Sequence, residues 1–124
     1  IYPLFNQAPR SDYRRSRLEY EQGRRLLQDL ERRLTLEVRD AVRNLQRIEE
    51  RIAILDKSIQ GARAKVDFAK VNFQLGRASN LDITEAQKDL LDAETEHVNE
   101  LVNHRVEQSR LEQLLGSALE GQTR

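Results

Sequence analysis

A repeat of seven runs through the middle of this 124-residue chain and fixes the kind of fold it can adopt. Val38, Leu45, Ile52, Ile59, Val66 and Phe73 recur every seventh residue, and Ala41, Ile48, Leu55, Ala62 and Ala69 follow the first five at a distance of three. Alternating steps of three and four place both lines on one stripe of an α-helix, the seam that winds into a left-handed coiled coil. No proline lies between Ser11 and Leu75. The glycines there, Gly23 and Gly61, cost about 1 kcal/mol each relative to Ala, which so long a helix tolerates. Before Val38 one line continues back through Leu34, Leu27, Tyr20 and Tyr13, while the other carries Glu31 and Arg24. The four-residue step from Leu34 to Val38 reads as a stutter that locally relaxes the supercoil.

The helical pattern breaks once, at Phe73–Gln87. Gly76 suits the left-handed backbone that ends a helix, and Ser79 followed by Asp82 resembles the capping pair that starts the next, where an acid is favoured. A lead-in over 1–10 holds both prolines and should be extended or turning. The long helix should cover 11–75 with Ser11 as its N-cap, the turn 76–80, the returning helix 81–116 with a stop at Gly116, and a tail 117–124. The expected fold is all-α, a long antiparallel two-helix coiled-coil hairpin with unequal arms. Val66 should then pack near Leu90 or Leu91, and Leu45 near Leu111. Centring the turn near Ala78 would set His97 and His104 opposite Ile59 and Ile52, with their polar edges reaching water. Ile83, Leu90 and Leu111 share a heptad line with those histidines, while Leu91, Val98, Leu101, Val102 and Leu115 widen the apolar face and imply more than one neighbour.

Charge shapes the partners. Lys+Arg and Asp+Glu are both 21, so no net charge draws the chain to nucleic acid or acidic membranes. Eight arginines lie between Arg10 and Arg33, but five acids among them would face phosphates, so this is a solvated or protein-contacting face. The long helix is the basic one and the returning helix the acidic one. Arg39, Arg43, Arg47 and Arg51, spaced by four, repel one another unless acids of the adjacent helix relieve them. Leu26, Leu27, Leu30 and Leu34 lie beyond the reach of the shorter arm and require cover from another copy or from another part of a longer polypeptide. The abrupt apolar start Ile1-Tyr2-Pro3-Leu4-Phe5 suggests such a longer protein. No apolar run of about 18 residues offers a membrane-spanning helix.

Chemistry is sparse. A separation of seven residues on a helix puts His97 and His104 about 10.5 Å apart along the axis, too far for one metal ion. With no Cys, no phosphate-binding glycine loop and no Ser-His-Asp set, neither an enzyme, a cofactor nor a metal site is expected. Asp82, Glu85, Asp89 and Asp92 form an acidic strip that begins in the first turn of the returning helix.

Around the break, Phe73-x-x-Gly76 followed by Leu81-Asp82-Ile83-x-x-Ala86-Gln87-x-x-Leu90-x-x-Ala93-Glu94 resembles the signature of the TolC-type outer membrane efflux proteins. Pro3-Leu4-Phe5-Asn6 resembles the end of a barrel strand in that family, and Leu114-Leu115-Gly116 the end of its returning helix. The resemblance implies the periplasmic helical part of one repeat of a homotrimeric outer membrane efflux or secretion channel. It also implies an adaptor (a membrane fusion protein) and an inner-membrane pump as partners. The family's adaptor-docking tip corresponds to Leu75, Gly76 and Arg77, and its tunnel gate to Asp82 and Glu85. Some members carry a basic residue two positions after the glycine; here Arg77 follows directly and Ala78 takes that place. The alternatives are a periplasmic adaptor hairpin, which would have arms of similar length, and a structural coiled-coil protein, which would need no acidic tip.

Overall fold

A heptad seam needs a second helix to face, and the chain supplies its own. The computed structural model describes residues 7–123 and contains two helices, α1 (Gln7–Gln74) and α2 (Asn80–Gln122), of 68 and 43 residues. Among the described residues there is no strand, and the fold is the all-α hairpin expected. The described residues fall into two compact units that divide between Val38 and Arg39.

Both outer boundaries differ from the sequence-based expectation. Helix α1 starts at Gln7, ahead of Ser11, and takes Pro9 into its first turn. The first four N–H groups of a helix have no partner within it, so proline sacrifices nothing there. The remainder of the expected lead-in, with Pro3, lies outside the described residues. Helix α2 passes through Gly116 and Gly121 and ends at Gln122, so residues 117–122 are helical. A glycine stops a helix by turning left-handed, and among the described residues only Gly76 does so, with φ +69°.

In the first unit, Leu18, Leu26, Leu27 and Leu30 are exposed. Its ion pairs, Arg15 with Glu19 and Arg17 with Glu21, are local ones along the helix surface. Such pairs contribute a few tenths of a kcal/mol each at about 0.3–0.5.

The second unit carries the seam. On α1 the buried residues are Ala41, Leu55, Val66 and Ala69, with Leu45, Ile48, Ile52, Ile59 and Ala62 half-buried on the same two heptad lines. Near the turn, Val66, Ala69 and Ala86 form a core against which Ile83 and Leu90 pack. Small alanines at two of these five positions, Ala69 and Ala86, let the helices approach closely. Of the two neighbours considered for Val66, the seam takes Leu90 and leaves Leu91 exposed at 62%. The wider apolar face of α2 is likewise outside the seam, with Val98, Leu101, Val102 and Leu115 all exposed.

Cross-helix polar pairs fix the register. Lys65 meets Asp89, Arg63 meets Glu94, Asp56 meets His97, Arg51 meets Glu100, Glu49 meets His104 and Asn44 meets Glu107. Every advance along α2 is accompanied by a retreat along α1, as antiparallel pairing requires. The histidines therefore lie level with Asp56 and Glu49, about a turn away from the expected Ile59 and Ile52. Two residues of this displacement arise because α1 ends at Gln74 and α2 begins at Asn80, which centres the reversal on Arg77 instead of Ala78. A reversal centred on Arg77 sets Leu45 level with Ser109, two residues from the expected Leu111. Of the arginine row, only Arg51 finds an acid on α2, while Arg39, Arg43 and Arg47 form no ion pair among the described residues.

The division between Leu90 and Leu91 is directly measurable. Leu90→Ala is expected to lower the unfolding free energy of the chain in urea by about 1–2 kcal/mol, since its side chain is only partly buried. Leu91→Ala should stay within about 0.5 kcal/mol of the parent.

Candidate functional site: the hairpin tip

The reversal between the helices is closed by backbone and side-chain hydrogen bonds within eleven residues. At the end of α1 the Gly76 N–H donates to the Phe73 carbonyl (3.0 Å) and the Arg77 N–H to the Asn72 carbonyl (2.8 Å). This pair of bonds is the Schellman arrangement, which satisfies two carbonyls that the helix end would otherwise orphan. Its geometry requires the left-handed backbone at Gly76, which a side chain with a Cβ adopts only with strain.

Three residues later the chain is captured again. Ser79 is extended (φ −91°, ψ 165°), and its hydroxyl accepts from the Asp82 N–H (3.4 Å). In return the Asp82 carboxylate accepts from the Ser79 N–H (2.6 Å) and hydroxyl (3.0 Å). The reciprocal bonds are a capping box, with Asp82 in the position more often held by Glu. The backbone bond from Ser79, and then the one from its hydroxyl, hold the Asp82 carboxyl below the usual aspartate range.

The expected site residues are thus brought to one end of the second unit but are engaged differently. Leu75, Gly76 and Arg77 are all exposed, and Leu81 beside them is 65% exposed, giving the turn an apolar and cationic surface. Asp82 is committed to the cap. Glu85, one turn further, is exposed and makes no hydrogen bond or ion pair among the described residues, although its charge acts on Lys65. Asp89, which belongs to the same acidic strip, is bonded to Lys65 across the hairpin. That hydrogen bond, and secondarily the ammonium charge, push the Asp89 carboxyl down, and the same contact raises Lys65.

Sequence reasoning missed the ladder of polar pairs above the tip. Its signal was present: His97 and His104 are seven apart, as are Glu49 and Asp56, so an antiparallel arrangement that matches one pair matches both. Among the described residues no three His, Cys, Asp or Glu side chains are grouped to hold a metal ion, and no helix is long and apolar enough to cross a membrane.

The cap has a pH dependence of defined sign. Because the folded Asp82 carboxyl lies below its unfolded value, its contribution is complete above the ordinary aspartate range and is lost as pH falls through the folded value. Amide exchange at Ser79 and Asp82 should therefore lose protection at acid pH in the parent and not in Asp82→Asn. Ser79→Ala should cost about 1 kcal/mol at neutral pH by urea unfolding.

No curated protein and no solved structure matches the chain. The family model described as "Outer membrane efflux protein" matches residues 1–117, which takes in α1, the turn and nearly all of α2. A hairpin with a glycine-closed, acid-capped tip, together with that match over most of the sequence, establishes that the chain belongs to the outer membrane efflux protein family.

Proposed function

We propose that this chain is the periplasmic tunnel-forming part of one repeat of a trimeric outer membrane efflux or secretion channel, and that its tip docks a periplasmic adaptor linked to an inner-membrane pump. The observation that carries this reading is the family match over a hairpin whose tip is pinned in place while Leu75, Gly76 and Arg77 stay exposed. A docking point needs a rigid backbone with side chains free to be covered. The Schellman bonds and the capping box supply the rigidity, and Leu75, Arg77 and Leu81 supply the coverable surface. The hairpin of α1 and α2 would form part of the tunnel wall, with its exposed apolar residues against neighbouring hairpins.

Within that channel Glu85 is the stronger gate residue. Its carboxylate is exposed and free of a cap, and symmetry would bring copies of it together at the narrow end, where concentrated negative charge favours cations. Asp82 adds charge there while serving the cap, so its replacement mixes two effects. Planar-bilayer currents through the full-length channel separate them. Glu85→Gln should lower cation selectivity and weaken block by trivalent cations, and Asp82→Asn with Glu85→Gln should abolish the block. Unchanged selectivity and block in both variants would remove the gate assignment. Arg77→Glu leaves the turn's backbone bonds intact, and should weaken adaptor binding and drug export without loss of trimers. Normal adaptor binding by that variant would remove the docking assignment.

A further inference from the structure

The seam changes character along its length. Near the tip it is apolar, through Val66, Ala69, Ile83, Ala86 and Leu90. Further from the tip the same two heptad lines of α2 carry His97, Glu100, His104 and Glu107. A coiled-coil seam that accepts four consecutive ionisable residues gives up apolar burial there, and the sacrifice calls for an explanation.

These residues form one module used twice. His97 and Glu100 repeat seven residues later as His104 and Glu107. Facing them on α1, Arg51 and Asp56 repeat seven residues earlier as Asn44 and Glu49. In each copy the histidine Nε2 reaches an α1 carboxylate, at 2.8 Å for His97 with Asp56 and 3.2 Å for His104 with Glu49. The glutamate takes the other α1 residue, Arg51 at 3.8 Å for Glu100 and Asn44 at 3.4 Å for Glu107. Both imidazoles are largely covered, with 20% and 29% of the side chain exposed, and Glu100 is buried.

The charge balance of these paired side chains then depends on the imidazoles, since Arg47, Glu50 and Arg105 in the same stretches are exposed and form no ion pair among the described residues. With both neutral, the carboxylates Glu49, Asp56, Glu100 and Glu107 face two cations, Arg51 and Arg110, the latter 3.4 Å from Glu107. With both protonated, four carboxylates meet four cations. The adjacent Glu94 is already held by Arg63 from α1. An imidazolium bonds a carboxylate about twice as strongly as a neutral donor does, and imidazole is the side chain that ordinarily changes charge between about pH 5 and 8.

We propose that this part of the seam is a proton-operated clasp, in which protonation of His97 and His104 tightens α2 against α1 over residues 44–56 and 97–107 and leaves the apolar tip unaffected. The clasp rests on the geometry of the hairpin alone and not on the channel reading.

Hydrogen exchange of the whole chain at pH 5.5 and 7.5 tests it, with rates taken relative to an unstructured chain at the same pH. Protection of amides in 48–56 and 97–104 should rise about fivefold at pH 5.5, while protection in 66–69 and 83–90 stays constant. In His97→Gln with His104→Gln, where the amide side chains still donate hydrogen bonds, the rise should vanish. It should vanish equally in Glu49→Gln with Asp56→Asn, which keeps the histidines. No rise in the parent, a rise shared by the tip, or a rise that survives in either double variant would overturn the clasp.

Discussion

The reversal of the chain at Gly76–Asp82 is the constraint on which the rest of the second unit depends. A helix with a heptad seam can pair with any comparable helix, in either direction and several registers. Here the Schellman bonds end α1 at Gln74 and the capping box starts α2 at Asn80, and those two endpoints dictate which α2 residue stands beside each α1 residue. A shift of one position would move Ile83 and Ala86 off the stripe that meets Val66 and Ala69. It would also separate Asp56 from His97 and Glu49 from His104. Turn geometry and side-chain pairing thus specify the same register, the agreement between local and long-range preference that marks a foldable sequence.

Apolar and polar contacts divide the work along this seam. The buried residues are few, and three of the five apolar ones are alanines, Ala41, Ala69 and Ala86. Burying so little surface leaves the hairpin with a modest hydrophobic contribution at about 25 cal/mol per Å². The cross-helix charge pairs add little each, because most of their members are half or more exposed and solvent screens them. Their value lies in selecting the antiparallel register, since pairing charges wrongly would place Glu49 or Asp56 against the acids of α2. Many large apolar residues of α2, among them Leu91, Val98 and Val102, remain exposed, consistent with a protein whose family works as oligomeric channels with other components.

Much of this was readable from the sequence for identifiable reasons. Heptad spacing from Val38 to Phe73 identified the seam of α1, and Gly76, Ser79 and Asp82 identified the turn, because each of those signals is local and has one dominant physical cause. The outer ends of the helices were misjudged because Pro9, Gly116 and Gly121 are ambiguous alone. Proline is welcome in a first turn, and a glycine ends a helix only if its backbone turns left-handed. The partners of His97 and His104 were missed because they depend on a register that shifts by two residues when the reversal is centred one residue differently. Asp82 shows the limit for function: the signals that suggested a gate acid also describe a helix cap, and the structure gives that carboxylate to the cap.

The apolar seam, the polar pairs and the histidine contacts all require α1 and α2 of one chain to lie side by side in a single register. Spin labels on the exposed positions Lys57 and Glu96, which the register sets level with each other, measure this most directly by pulsed electron–electron resonance. Helix axes 8–10 Å apart predict a label separation below about 25 Å, unchanged when labelled chains are diluted with unlabelled ones. A separation near about 58 Å, the span of one uninterrupted helix between those positions, or a short distance that disappears on dilution, would contradict the hairpin.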